Sequence, residues 1–574
     1  MFRKARLVGQ VLRSLLLGSA AITVVASTSV VMVGCADENQ PETWVKRLDD
    51  PVKRPAAVKR LAQFFNDAMT RANKDRENPR VKEILDKTVE PLTKVYVEGN
   101  LDDRTRIELI QHLADMRDPR AKAALFKACT DFAQGKGATE DDVRWAAPAI
   151  AALKLEDGAQ PLADAFLKLQ AGTPKGQNVY PTLLEAMLAL KSPSWTPMLL
   201  ERLNRPMEVP QAGADPAAIT AYRNEQFWQT TAARLLGELR EPSAIKPLFK
   251  VVMDPGKADV AGSATMALIK IGKDAVPVLI DILAGKDEEI RDFAISRSGG
   301  NPERAKAYIS HAAVVLGAMG HPDATGPMIE ALNAATSELD RAVIARELTK
   351  LPGTPEAVKA FQAAFEKISP STALPPYSNN ARATLLEHAT YFYDSELVPW
   401  LLKQAESAKG DDVEAVNVRE TALVTAIKLM NKAQVPDVQK AVDKFGKAVE
   451  GEFKLASEVV TACDDQFACY LSKVQESELQ DQAKQFAGIK AGAMLGVRGE
   501  PSQAQAVAEA LPKIKNAAIR FAALSSLNHL VRKDAGPIVA VLEKMIEEDA
   551  AKGDANRIQA NDAVKQVVYR LRAR

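Results

Sequence analysis

The chain predicts an all-α fold, a solenoid of about a dozen stacked helical hairpins preceded by an amino-terminal signal segment, and three observations carry that reading. The first is a recurring apolar spacing: Ala147-x-x-Ile150-x-x-Leu153, Ala233-x-x-Leu236-Gly237-x-Leu239, Thr265-x-x-Leu268-x-x-Ile271 and Ala313-x-x-Leu316-Gly317-x-Met319. Apolar residues three and four apart line one face of a helix. The second is that each copy runs into a short polar turn and then a proline, at Pro161, Pro247, Pro277 and Pro327. Proline is tolerated in a helix's first turn, where its missing N–H would have no intrahelical partner, so each proline opens a second helix. The third is composition: 47% apolar residues with only 5% aromatics over 574 residues, a chain too long for one compact core, with no stretch of low hydrophobicity dividing it. A helix–turn–helix unit cannot bury its apolar face alone, so the copies must stack.

In chain order, residues 1–34 stand apart. Arg3, Lys4, Arg6 and Arg13 form a basic leader, and no charge occurs from Leu15 to Gly34, the pattern of an export signal. Met32-Val33-Gly34-Cys35 resembles the lipobox of bacterial lipoproteins, although Met32 and Val33 replace the usual leucine and small residue. The resemblance implies cleavage before Cys35 and a lipid on its sulfur, an uncleaved membrane anchor and simple secretion being the alternatives. Ala36 rather than Asp after the cysteine then implies the outer membrane over the inner one. Residues 35–43 are expected to form a short tether, which at about 3.5 Å per residue reaches roughly 30 Å, and residues 44–574 the solenoid. Without its leader the chain carries 71 basic and 74 acidic residues, a net charge of −3, which excludes nucleic-acid binding by bulk charge.

Turn signals mark the hairpins at Asp118-Pro119, Glu156-Asp157-Gly158, Ser192-Pro193, Glu241-Pro242, Gly272-Lys273-Asp274, His321-Pro322-Asp323, Gly353-Thr354-Pro355, Asp394-Ser395, Val435-Pro436-Asp437, Glu500-Pro501 and Lys533-Asp534. Hairpins with this first-helix motif and a proline-opened second helix resemble HEAT repeats, including the HEAT-like units of bilin lyases. The resemblance covers residues 42–574 and is strongest over 227–334 and 516–546. It implies a fold and says little about function.

The turns inside hairpins stay tight, whereas the links between hairpins swell at 134–142, 171–178, 204–226, 285–304, 369–380 and 407–416. All such links leave a solenoid on one rim, which is therefore the decorated one. Tyr222, Arg223, Phe293, Arg297 and Tyr377 are the adhesive residue types it carries, and they are the candidate partner-binding residues. Stacked helices 8–10 Å apart would carry the far end on the order of 100 Å from the first repeat, which would act as a stalk.

Chemistry-bearing residues are sparse. Cys129 sits in an apolar helical stretch and reads as a buried, inert thiol. Cys463 and Cys469 flank a turn position, and in an oxidising compartment a disulfide is expected there, two buried free thiols being the alternative. No third cysteine or histidine lies near enough in sequence for a zinc site. His112, His311, His321, His388 and His529 are scattered and expected to cap, pack or face solvent. Ser243-Ala244-Ile245-Lys246 matches S-x-x-K without the companion elements of that chemistry. Neither an enzyme site nor a cofactor is expected. The leading function is a membrane-tethered envelope scaffold that binds another envelope protein, held at the membrane through Cys35 and facing the periplasm. A small-ligand or lipid carrier is the alternative, and a HEAT-like lyase-type enzyme the weakest reading.

Overall fold

The computed structural model describes residues 37–374, 379–476 and 482–574; the leader, Cys35 and Tyr377 lie outside them. Two compact units divide the chain, the first ending at Thr88 and the second running from Val89 to Arg574.

In the first unit, helices Pro41–Arg47 and Arg54–Arg71 precede the start of Pro79–Glu98. Val58, Leu61, Phe65 and Ile84 form its interior, and Lys87 bridges Glu42 and Glu83 at 2.7 and 2.6 Å. The first helix begins at Pro41, three residues ahead of the expected boundary, because proline can take an N-terminal helical position. The residues before it are not extended: Thr43 Oγ1 donates to the Asp37 carbonyl at 2.8 Å and Trp44 Nε1 to that of Glu38 at 2.9 Å.

The second unit is an α-solenoid. Its hairpins have first helices Asp103–Met116, Glu140–Ala152, Pro174–Leu190, Pro216–Leu239, Ala258–Ile271, Ala307–Met319, Glu338–Leu348, Ala381–His388, Val413–Leu429, Glu450–Cys463, Gln482–Arg498 and Ala517–Leu530. A second helix comes after each, and Ala555–Arg572 closes the array unpaired. The strand content among the described residues is one two-residue ladder, Ala373–Leu374 against Asn379–Asn380.

The turn inside the hairpin has a repeated construction. At Arg117, Lys191, Arg240, Gly320 and Tyr393 the first helix ends in the left-handed conformation, with φ of 46°, 50°, 51°, 64° and 52°. The next residue is extended, and a single 3-10 turn leads into the second helix. At four of these the extended residue's side chain also caps that turn: Asp118, Glu241, His321 and Asp394 each accept from the backbone N–H two residues on. Three of the five left-handed positions are Lys or Arg, charges that suit the negative end of the helix they terminate.

First helices pack side by side, and the glycine of the apolar motif is what admits the neighbour. A Cβ on Gly237 would lie 2.7 Å from Ala267 Cα, and one on Gly317 would lie 2.8 Å from Glu347 Cβ. Gly492 repeats the arrangement against Ala522. Ser526 Oγ, fully buried, donates to the Gly492 carbonyl at 2.5 Å.

The chain does not run out to the distant end that straight stacking would give. The last helix folds back: a Cβ on Gly272 would lie 3.6 Å from Ala573 Cα, Lys270 Nζ sits 4.8 Å from the Tyr569 ring centroid, and Arg574 reaches Gly320. Val564, Val567, Val568 and Leu571 are buried in the process. Curvature accumulated over many repeats, invisible in any one of them, brings residue 573 to residue 272.

Because first helices meet at glycine, Gly237→Val should lower stability by about 1–3 kcal/mol through overpacking. Gly262, exposed in mid-helix with open space around its Cα, should respond oppositely: Gly262→Ala should raise stability by about 0.5–1 kcal/mol. Urea denaturation of both variants checks the pair.

Candidate functional site

Two regions of the second unit have the attributes of a site, the rim that carries the long links and the hollow beside the returning last helix.

On the rim, the structure replaces two expected loops largely with helix. The 204–226 link is irregular only to Asp215, after which Pro216–Leu239 begins; the 285–304 link contains Glu288–Arg297 and Pro302–Ala305. Proline at the first helical position and Asp215, Asp287 and Asn301 as N-caps explain these starts. Tyr222 and Arg223 therefore stand on a helix. Tyr222 is half-buried and its hydroxyl donates to Asp259 Oδ2 at 2.6 Å, while Arg223 is exposed. Phe293 is half-buried between Lys250 Nζ and Arg297 Cζ, 5.5 and 5.4 Å from its ring centroid. Arg297 pairs with Asp254 at 3.2 Å, and Lys246 and Lys250 both reach Glu289.

These contacts fasten the inserted helix past its adjoining hairpin to the second helix of the hairpin before it, Ile245–Met253. The turn at 254–257 joins it to the other long link. Asp254 Oδ1 caps Gly256 N, a Cβ on Gly256 would meet the Met207 carbonyl at 2.7 Å, and Lys257 Nζ donates to the Leu203 carbonyl at 2.6 Å. The rim over 203–215, 254–257 and 287–297 is thus continuous. Val209 is 56% exposed on it and Ile295 59%. Beside it lies a cavity of about 460 Å³ between Leu283, Tyr308, Pro327 and Ile344.

On the inner side, a smaller cavity of about 210 Å³ lies among the carboxyl ends of the helices ending at Leu348, His388, Leu530 and Arg572. Arg574 is spent there on the last turn of Ala517–Leu530: one Nη donates to the carbonyls of Asn528, at 2.7 Å, and Val531, and the other to Asn528 Oδ1. Burial, with Arg570 close by, brings its pKa down to about 10. The Arg570 side chain makes no hydrogen bond or ion pair with any described residue. The carboxylate it feels is that of Glu347, which Arg346 and Lys350 already hold. Sequence reasoning misses both Arg574 and Arg570, because nothing local marks residues whose surroundings come from other hairpins.

The remaining chemistry is structural. Cys463 and Cys469 are joined in a disulfide, with 5.3 Å between their Cα atoms, across the turn between Glu450–Cys463 and Phe467–Gln475. Cys129 is fully buried, and burial followed by the charge of Asp142 pushes its pKa up to about 12. Ser243 and Lys246 do not form a pair, since the serine hydroxyl donates to Glu241 at 2.7 Å and the lysine pairs with Asp287 at 2.8 Å. His321 accepts from Asp323 N, and burial lowers the pKa of His112 and His311. His388 and His529 line the inner cavity, each brought to about 4 by burial and then by cations, Lys350 and Arg346 for the first, Arg532 and Arg574 for the second. Among the described residues no group of His, Cys, Asp and Glu could hold a metal, and no helix is long and apolar enough to cross a membrane.

No family model and no curated protein matches the chain. Solved structures similar to it include an engineered protein, at 15% identity over 92% of this chain and 98% of that one, with a TM-score of 0.24. The UNC-45 chaperone, whose molecular features are described as critical for binding and folding muscle myosin, is 12% identical over 93% and 72%, with a TM-score of 0.26. SYS-1 is 11% identical over 93% and 99%, with a TM-score of 0.29. Superpositions this loose carry no argument beyond themselves, and the assignment as a helical repeat protein rests on the hairpins of the chain.

The two inner histidines set an acid limit. Their folded pKa lies below the ordinary 6.5, so between pH 6.5 and about 4 the unfolded chain binds protons that the folded chain refuses. Stability from this source is complete above pH 6.5 and is lost as the pH falls through that window. Thermal melts of a His388→Gln/His529→Gln double variant should show a shallower fall in Tm across the window than the parent.

Proposed function

We propose that this chain is a HEAT-like lipoprotein of the bacterial envelope, anchored through Cys35 and facing the periplasm, that serves as a scaffold for another envelope protein. A helical repeat stack is the kind of surface that holds a partner. The observation that carries the choice of surface is the continuous rim at 203–215, 254–257 and 287–297. There the added chain is not slack: it is pinned by Arg297–Asp254, Lys250–Glu289 and Lys257 on the Leu203 carbonyl, yet it leaves Val209 and Ile295 uncovered. Preorganised apolar residues ringed by charge are what a protein interface core and rim require.

Export and anchoring rest on the uncharged leader and on Gly34-Cys35. The Cys463–Cys469 bridge supports them, because structural disulfides persist in oxidising compartments and are rare in the cytosol of mesophiles. The outer membrane is the proposed destination on the strength of Ala36 alone. With a helix starting at Pro41, the anchor leaves the first unit close to the lipid surface.

Two measurements test the two halves of this reading. Cys35→Ala should abolish incorporation of labelled fatty acid and release the protein from the membrane fraction; persistent labelling would remove the anchor. A Val209→Asp/Ile295→Asp double variant, with unchanged far-UV circular dichroism, should lose about tenfold or more of its crosslinked partner, since apolar anchors at an interface core contribute roughly 1–3 kcal/mol each. Full recovery of every partner by that variant would sink the rim.

A further inference from the structure

The inner cavity holds an uncompensated charge that the fold does not need. Arg574 stabilises the end of a helix, and Lys350 and Arg346 neutralise Glu347, but the Arg570 guanidinium has no partner among the described residues and its Nε is buried without one. His388 Nδ1 is a second buried polar atom left without a partner on the same cavity. A half-buried cation kept beside another cation opposes folding, and burial lowers its pKa against the weaker opposing pull of the Glu347 charge.

The other walls are of the opposite character. Leu351, Pro352, Leu524 and Val567 are buried apolar residues, and Phe521 stands on the lip at 53% exposure, which is high for so large an apolar ring. The room available corresponds to about seven waters at some 30 Å³ each, or to a ligand of about ten non-hydrogen atoms. The two histidines, neutral at pH 7, can donate or accept without adding charge.

We propose that this cavity is a binding site for a small amphipathic carboxylate, with Arg570 holding the head group and the apolar wall beneath Phe521 taking the hydrocarbon body. A guanidinium offers a carboxylate two parallel hydrogen bonds in a fixed fork, the strongest neutral-pH contact available to that group. His388, through its free Nδ1, adds a third contact to the same head. The walls come from two pairs of neighbouring repeats far apart in sequence, which meet where Tyr393 packs on His529 at 4.8 Å, and the returning last helix supplies Arg570 and completes the site. A ligand bridging that helix to the repeats at 349–352 and 388–393 also locks the closure. This site is on the inner side of the array and does not depend on the rim.

The test is calorimetric titration of the full chain with octanoate, octanol and acetate. Octanoate should bind at one site per chain, at least about tenfold more tightly than octanol, which lacks the charge, or acetate, which lacks the body. Arg570→Gln should lose about tenfold or more of the octanoate affinity, and Arg570→Lys should keep part of it. Because Arg570 is unpaired, Arg570→Gln should melt no lower than the parent, which a purely structural arginine would not allow. Ala563→Trp, at the wall on the last helix, should block octanoate without touching Arg570. Octanoate binding that Arg570→Gln and Ala563→Trp both leave unchanged would place the ligand elsewhere, and no heat with the parent chain would overturn the site.

Discussion

Close approach between consecutive first helices is the constraint on which the second unit depends. Where Gly237 meets Ala267 and Gly317 meets Glu347, the missing side chain brings two helix backbones nearer than any larger residue would permit. The second helices pack through larger residues such as Phe166, Leu248, Phe249 and Leu279. A stack with one row tighter than the other must bend. That bend, added over successive hairpins, returns the last helix to residues 270–274 and 320 and encloses the inner cavity.

Bending a stack exposes helix ends to the interior, where open carbonyls are costly, and the chain answers with buried cations. Lys257 donates to the Leu203 carbonyl, Lys490 to the carbonyls of Lys428 and Met430 at 2.8 and 2.7 Å, and Arg574 to those of Asn528 and Val531. Desolvation depresses all three, Lys257 to about 8 and Lys490 well below the ordinary range. Each long side chain reaches between repeats, and Lys257 and Lys490 each reach past an intervening hairpin to satisfy a helix end. Against this pattern Arg570 is the exception, a cation in the same setting with no carbonyl or carboxylate to hold.

The buried Asp142 shows the same economy with the opposite sign. It caps its own helix by accepting from Thr139 N at 2.8 Å, and it also accepts from Tyr96 Oη at 2.9 Å and Arg106 Nε at 3.0 Å. One carboxylate thereby joins three elements of the first hairpins of the second unit, and its charge is answered by the arginine as it leaves water. Such sites are rigid and specific, whereas the rim at 203–297 achieves definition with exposed ion pairs and keeps its apolar residues free for contact.

Helix, turn and repeat are legible in the residues alone, because each depends on side chains within one hairpin. The apolar spacing marks the helix faces, Pro161, Pro247, Pro277 and Pro327 fall in the first turns of second helices, and the turn signals coincide with 3-10 turns except at 353–355, 435–437 and 533–534. The basic, then uncharged, stretch ahead of Cys35 lies outside the described residues, and its reading as an export signal rests on the sequence alone. Helix within the long links is the local feature that sheer link length conceals, although its signals, Asp215-Pro216 and Asn301-Pro302, are present. Everything that joins distant repeats waits for the folded chain: the return of the last helix, the fastening of Phe293 and Arg297 to the hairpin that ends at Met253, and the solitary charge of Arg570. These arise from curvature summed over many hairpins, and no local pattern records a sum.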